Sequence, residues 1–182
     1  MEILLIVILL IILIVCSLSI FYAITYNKFQ DYIIRINEVE SIIDSNLRKK
    51  YDLLNRAIPI IKSSIPKERE IFEEIVKLRS RKLSNFELYR VLERSSIEFN
   101  ALKEEFPNID DSSEIKKIQK SIVEIDNTTQ EATLYYNDNI SIYNKFLKKF
   151  PSNVVAAFCK YKEKLFFDRK DMSDEDYNDF KL

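Results

Sequence analysis

Residues 3–26 read ILLIVILLIILIVCSLSIFYAITY, a run without a single charged side chain. As an α-helix this run would span about 36 Å, against about 30 Å of hydrocarbon in a bilayer. It is apolar on all sides, so it has no polar face to turn towards water. Aromatic residues, which favour the headgroup layer, gather at its downstream end: Phe21, Tyr22 and Tyr26. The run predicts a transmembrane anchor over residues 1–27 that meets the lipid bilayer through Ile3 to Tyr26.

A cleaved signal peptide and a lipoprotein signal are the alternatives to an anchor. A cleaved signal peptide needs a basic leading region, yet only Met1 and Glu2 precede the run. A lipoprotein signal ending at Cys16 would place Val15, which is larger than the small residue usual there, at the cleavage site. We therefore favour an uncleaved anchor.

The charges that flank the run predict an orientation. No Lys or Arg precedes it, whereas Lys28 and Arg35 follow it closely and a basic run, residues 48–50, comes later. Basic residues near a span tend to stay in the cytoplasm. We expect a single-pass protein of the cell membrane with a short N-terminus outside and its helical body in the cytoplasm.

The composition of the 182-residue chain excludes several classes of chemistry. It contains no Gly and no His, so phosphate-binding glycine loops and imidazole-based nucleophile or metal sites are not expected. Because Glu2 is the only charged residue before Lys28, residues 28–182 balance in charge and give no reason to expect nucleic-acid binding. Cys16 and Cys159 are not expected to pair. We predict a non-enzymatic protein with no catalytic residue, no cofactor and no metal.

The body of the chain has the periodicity of helices. Nothing breaks the helical pattern from Asn27 to Ile58, and whether Pro59 or Pro66 ends that helix is left open. Ser84, with Glu87 behind it, predicts the start of another helix that runs to about Phe106. A loop is expected at residues 107–112.

The clearest helix follows, with residues on one seam at alternating steps of three and four. The seam comprises Ile115, Ile118, Ile122, Ile125, Thr129, Ala132, Tyr136, Asn139, Tyr143, Phe146 and Phe150. Pro151 should end this helix, and Ser152 should cap a short amphipathic piece. Such a seam predicts an all-α fold: a single N-terminal transmembrane helix, then an elongated antiparallel up-and-down helical bundle over residues 28–167. The acidic tail, residues 168–182, is predicted to be disordered.

Several charged or polar groups could form sites, but each has a plainer explanation. The carboxylate pairs Glu73-Glu74 and Glu104-Glu105 could hold Mg²⁺ or Ca²⁺, although a solvated helix face is the favoured interpretation. The same holds for three basic clusters that could touch lipid headgroups or RNA: Arg48-Lys49-Lys50, Lys77-Arg79-Arg81-Lys82 and Lys145-Lys148-Lys149.

Three further kinds of feature are weaker. Sequons at Asn127 and Asn139 fall within the long helix and are attributed to chance. Ser19 and Ala23 form a small-xxx-small pair that could support dimerisation. Glu40 and Lys50 interrupt the apolar stripe of the first helix and could be register or switch positions, although we expect them at its rim with their charges in water.

Several motifs together resemble the LemA family, whose members are bacterial single-anchor membrane proteins. The most specific part is a pair of Tyr-Asn steps followed by Phe-Pro-Ser-Asn: Tyr136-Asn137, Tyr143-Asn144 and Phe150-Pro151-Ser152-Asn153. Other matching positions are Tyr26-Asn27, Ile43-Asp44, Leu47, Tyr51-Asp52-Leu53, Lys62, Glu68, Glu70, Arg79, Phe106-Pro107, Gln119, Ala156 and Phe167. The sequence also departs from the family pattern. Asn55 replaces a Pro, Lys67 stands where His is common, and Ser63, Ala157 and Lys160 stand where Gly is usual.

The resemblance implies a four-helix up-and-down bundle, a short outside terminus, a cytoplasmic body and an unsettled molecular role, for which association with membrane-bound metalloproteases is a recurrent suggestion. Together with the anchor it suggests a membrane-anchored helical adaptor or scaffold that binds a protein partner. The alternative is a self-associating structural protein of the envelope. The residues predict neither the partner nor the oligomeric state.

Overall fold

The computed structural model describes residues 1–64, 70–78, 83–109 and 112–167. All of its regular elements in these ranges are helical, as the sequence predicts, and no β-strand occurs among them. The helices, in chain order, are α1 (Glu2–Ser64), α2 (Glu70–Leu78), α3 (Asn85–Glu105), a 3₁₀ turn (Pro107–Ile109), α4 (Ser113–Lys148) and α5 (Ser152–Phe158).

The first helix is continuous from the apolar run into the body. It passes through Pro59 without ending and stops at Ser64. Proline removes one intrahelical bond, the one to the carbonyl of Asn55. Both residues are exposed, so water can hydrate that carbonyl. Pro59 therefore does not mark the first break, and Pro66 lies outside the described residues.

Helix α3 begins as the sequence predicts. The Oγ of Ser84 accepts a hydrogen bond from the backbone N–H of Glu87 at 3.3 Å, and the carboxylate of Glu87 accepts one from the backbone N–H of Ser84 at 2.9 Å. This reciprocal pair is a capping box. Because these hydrogen bonds favour the charged form, the pKa of Glu87 is lowered.

Helix α4 follows the predicted seam with one exception. Ile115, Ile118, Thr129, Asn139 and Tyr143 are all buried. The prediction that Phe150 belongs to the seam is wrong, because the helix ends at Lys148 and the ring of Phe150 is exposed in the turn that follows. A heptad pattern can extend past the end of a helix, because an apolar residue in the next turn can fall in register by chance.

The role predicted for Ser152 is also wrong. The first residue before α5 is Pro151, and no side chain caps this helix. Ser152 is buried, and its Oγ donates to the carbonyls of Phe146 at 2.6 Å and Lys149 at 2.7 Å. The hydroxyl thus supplies a hydrogen-bond donor at the C-terminus of α4, where the last carbonyls lack partners within the helix.

The chain divides into two compact units. The first comprises Met1–Glu40 and Tyr135–Phe166, and we call it the aromatic unit. Its core cluster is Phe29, Ile36, Ile140, Tyr143 and Ala156, with partly buried rings around it. The ring of Phe29 lies 4.7 Å from that of Phe146 and 4.9 Å from that of Tyr161, centroid to centroid.

The second unit comprises Ser41–Leu134 and Phe167–Leu182, and we call it the aliphatic unit. Its core is dominated by isoleucine and leucine from α1, α2, α3 and α4: Ile43, Leu47, Leu54, Ile58, Ile61, Ile75, Leu78, Leu92, Leu102, Ile115, Ile118 and Ile122. The buried ring of Phe167 packs edge-on against Phe86 and Tyr89.

Parts of the sequence prediction lie outside the described residues. These are the helix start at Pro66, the basic residues Arg79, Arg81 and Lys82, and the acidic tail at 168–182. The division into an anchor at 1–27 and one helical domain at 28–167 stays a prediction.

Candidate membrane span and protein-docking surface

The apolar part of α1 is exposed along its whole length. Every residue from Met1 to Ile24 is exposed, and the helix is long and apolar enough to cross a membrane. Its two serine hydroxyls are satisfied within the helix: Ser17 donates to the carbonyl of Leu13 and Ser19 to that of Val15, each at 2.8 Å. A hydroxyl without a partner would be costly in hydrocarbon, so these bonds suit a helix surrounded by lipid.

Aromatic residues mark the end of this run. The rings of Tyr22 and Tyr26 are stacked with centroids 6.2 Å apart. The hydroxyl of Tyr22 lies 3.5 Å from the Sγ of Cys159, which the fold brings back from the far end of the chain. Cys16 and Cys159 are both free thiols. Nothing in the spacing of residues 22 and 159 could have predicted this contact.

The aliphatic unit contains a buried cation. Lys50 is only 2 % exposed, and its Nζ lies 2.6 Å from Oε1 of Glu93 and 2.8 Å from Oδ1 of Asp126. The expectation that Lys50 would sit at the rim with its charge in water is therefore wrong. The physical reason is that α3 and α4 each supply a carboxylate, and two paired charges can offset the desolvation of an ammonium. Glu40, by contrast, is exposed as expected.

A second polar contact lies one turn away from the lysine. Nδ2 of Asn46 donates to Oγ1 of Thr128 at 3.2 Å, and Asn46 is buried. These polar groups can bond only in one alignment of the helices. Aliphatic side chains, by contrast, still pack when one helix shifts along another. The polar contacts set the register of α1 against α4 within this unit.

An open cleft of about 330 Å³ occurs in the aliphatic unit. Its lining mixes leucines with charged and polar groups: Asp44, Arg48, Tyr51, Asp52, Leu78, Leu83, Asn85 and Leu88. Nε of Arg48 lies 2.8 Å from Oδ2 of Asp44, and this hydrogen bond raises the pKa of the guanidinium. Apolar and charged side chains side by side occur at surfaces that bind another protein.

The carboxylates proposed for a cation do not form a group. Glu73 is exposed and bonded to Lys77 at 2.8 Å, which lowers the pKa of Glu73, and the side chain of Glu74 lies outside the described ones. Glu104 and Glu105 are exposed. Within the described ranges, no three potential ligands come together in a way that could hold a metal.

The remaining predicted features are a lysine cluster on α4 and the two sequons. Lys145, Lys148 and Lys149 are exposed at the end of α4. Asn139 is buried, and its Nδ2 donates to the carbonyl of Tyr135 at 2.7 Å, so a glycan could not be attached there. Asn127 is exposed within the same helix.

Comparison with known proteins decides the family. The sequence profile of the LemA family matches residues 39–178. The chain belongs to the LemA family. The matched range covers the helical body from residue 39 onwards and begins after the apolar run, so the predicted anchor is not part of the match. Comparison with curated proteins gives no match.

The departure from the LemA pattern at Lys160 affects the backbone at the end of α5. Lys160, which stands where Gly is usual in the family, has a φ of 57°. The backbone N–H groups of Lys160 and Tyr161 donate to the carbonyls of Ala157 and Ala156. These are the bonds of a Schellman motif, which ends a helix with one residue in the left-handed region. Lysine pays steric strain in that conformation, whereas glycine does not.

Proposed function

We propose that this LemA family chain is a membrane-tethered, non-enzymatic helical adaptor. Residues 3–26 hold the chain in a bilayer, and the helical remainder binds a protein partner. The observation that carries the proposal is the continuity of α1. The same helix that exposes an apolar run at its start supplies Phe29 and Ile36 to one buried core and Leu47 and Leu54 to another. A tether of this kind cannot bend freely at the membrane surface.

The arrangement proposed for residues 28–167 is an elongated, antiparallel, up-and-down four-helix bundle. The support is the seam of α4, which is buried along most of its length, and the amphipathic character of α3. We place the body in the cytoplasm, because Lys28 and Arg35 follow the span and no basic residue precedes it.

The cleft of the aliphatic unit is the proposed docking surface for the partner. A membrane-bound metalloprotease is the first partner to test, since the family resemblance points there and both proteins would share one bilayer. Nucleic acid is not a proposed partner, because the body carries balanced charge.

Photo-crosslinking in intact cells tests this proposal. A photoreactive phenylalanine analogue at Leu88, which lines the cleft, should trap one defined protein. The matched control carries the same analogue at Val123, an exposed apolar position of α4. Arg48→Glu reverses the charge at the edge of the cleft and should abolish the product from position 88. Equal yields from the two positions, or no product above background, would contradict an adaptor role for the cleft.

The second candidate function is a self-associating structural protein of the envelope. Ser19 and Ala23 favour it, because they form an exposed small-xxx-small pair on the span. In the same experiment this function predicts a crosslink to a second copy of the chain.

A further inference from the structure

Helix α5 and the turn before it leave three large apolar side chains uncovered. Phe150 is 75 % exposed, Val154 59 % and Phe158 78 %, and together we call them the C-terminal patch. The other face of α5 is different: Val155 and Ala156 are buried in the aromatic unit. At about 100° per residue, Val154 and Phe158 lie opposite this buried face. The short helix is therefore apolar on its outward face as well as on its buried face.

The patch lies beside the end of the membrane span. The ring of Phe158 packs edge-on against the ring of Tyr22, with centroids 5.9 Å apart and an interplanar angle of 89°. Tyr22 precedes Tyr26 by about 6 Å along α1, at 1.5 Å per residue. If Tyr26 lies in the headgroup layer, Tyr22 lies about 6 Å below it, and Phe158 contacts Tyr22 within reach of the depth at which interfacial helices bury their apolar faces.

The surrounding segment is basic, although the body as a whole is neutral. Between positions 145 and 166 the only acidic residue is Glu163, which is paired with Lys148. The lysines of this segment are Lys145, Lys148, Lys149, Lys160, Lys162 and Lys164. Lysine chains beside an apolar patch can lay their stems along it and place their ammonium groups among lipid phosphates.

The segment after α5 is held in place on α4. The hydroxyl of Tyr143 donates to the carbonyl of Lys162 at 2.9 Å. The amide of Asn144 donates to the carbonyl of Lys164 at 2.8 Å and accepts from its N–H at 3.0 Å. The basic segment and the patch are thus presented by a fixed backbone, so they can engage a flat surface without first becoming ordered.

We propose that the C-terminal patch inserts into the headgroup region of the bilayer that α1 crosses, with the flanking lysines on anionic lipid. The occupant is a lipid surface, because the patch continues the apolar surface of the span and its rim is cationic. This inference rests on the proposed membrane tether. It adds a second, peripheral attachment that fixes how the aromatic unit meets the membrane.

The absence of tryptophan from the chain allows a direct test. Phe158→Trp places a single reporter in the patch of the full-length protein, reconstituted at one chain per nanodisc of phosphatidylcholine and phosphatidylglycerol. Lipids brominated near the glycerol should quench its fluorescence more than lipids brominated deep in the acyl chain. Leu18→Trp reports the span, and Ile97→Trp is the matched control, an exposed apolar position of the aliphatic unit.

Each outcome has a distinct meaning. Quenching at 158 and 18 but not at 97 supports the inference. Quenching at 18 alone overturns the inference and leaves the tether intact, whereas no quenching at 18 overturns the tether itself. Quenching at 158 that requires two chains per disc would assign the patch to a second copy and contradict a lipid occupant.

A further pair of variants tests the chemistry of the contact. Val154→Asn in the Phe158→Trp background changes an exposed side chain that the core does not use, and it should reduce quenching about twofold. Lys145→Gln with Lys149→Gln should reduce quenching only when phosphatidylglycerol is present. An unchanged signal in both cases would overturn the proposed contact.

Discussion

The aromatic unit surrounds one fully buried ring, Phe29, with three other rings, whereas the aliphatic unit packs isoleucine and leucine around a buried lysine. The first unit keeps its charges on the outside and exposes apolar side chains beside the span. The second keeps most of its apolar side chains inside and places one charge among them. The contrast fits the lipid contact proposed for the first unit and the defined helix register of the second.

The largest effect is expected at the centre of the aromatic unit. Phe29→Ala should lower the free energy of unfolding by about 3–5 kcal/mol, because it removes a ring that touches three others and leaves a cavity. Hydrogen exchange of the full chain in nanodiscs measures this, since it reads the amides of each unit separately. Ile34→Ala, an exposed position of α1, is the control and should cost less than about 0.5 kcal/mol. A loss as small as that of the control would show that the rings do not form the core.

The next effect concerns the buried charge of the aliphatic unit. Glu93→Gln combined with Asp126→Asn leaves the ammonium of Lys50 without a carboxylate, and should cost about 3 kcal/mol. We place the loss near the low end of the range for broken buried pairs, because both acids are partly exposed. Urea unfolding of the full chain measures it.

The matched control is Lys50→Met, which removes the charge but keeps the chain length. Replacing a buried ionic group by an apolar one of similar shape is often neutral or stabilising. A double variant as stable as the original protein would show that water hydrates the ammonium of Lys50. The aliphatic unit would then have no buried charge to distinguish it from the aromatic unit.

A smaller effect is expected where the aromatic unit holds its C-terminal segment. Tyr143→Phe removes the hydrogen bond to the carbonyl of Lys162 and should cost about 1 kcal/mol. Burial raises the pKa of Tyr143, so the folded state favours the neutral phenol. Its contribution is complete below the ordinary tyrosine pKa of about 10 and is lost as the pH rises through the raised value.

The pKa values of Tyr136 and Tyr161 are also raised, so the pH dependence of one protein alone does not identify Tyr143. Comparing the unfolding of the original chain and the variant between about pH 9 and 11 isolates the contribution of Tyr143. The Tyr143→Phe protein should lose less stability over that interval than the original chain. Identical slopes would contradict a role for the Tyr143 hydroxyl.

The smallest effect has the opposite sign. Lys160→Gly should stabilise the protein by about 0.5 kcal/mol, because glycine removes the strain of a left-handed residue but loses more chain entropy on folding. Lys160→Ala removes the same charge and keeps the Cβ, so it should bring no gain. Thermal unfolding of the three proteins side by side measures the difference. A gain in both variants would assign the effect to charge instead of backbone strain.

The helices could be predicted from sequence because their signals are local. The apolar run, the Ser84–Glu87 capping box and the seam of α4 each occupy one stretch of chain, and the structure places them as expected except at Phe150. The family could also be recognised, because its Tyr-Asn and Phe-Pro-Ser-Asn steps are specific combinations.

The contacts that define the candidate sites could not be predicted. Whether Lys50 is buried depends on Glu93 and Asp126, which lie far away in sequence on other helices. The contact of Phe158 with Tyr22 has the same character. Periodicity predicts which face of a helix is buried. The burial and contacts of a charge or ring at the edge of that face depend on partners from other parts of the chain.

The central claim is that residues 3–26 remain on the chain and cross a bilayer. Alkaline carbonate extraction of native membranes, followed by mass spectrometry of the retained protein, tests it most directly. The account predicts that the protein stays with the lipid and that its N-terminal peptide still includes the whole apolar run. Recovery of the protein in the aqueous fraction, or with a new N-terminus at or beyond Cys16, would contradict it.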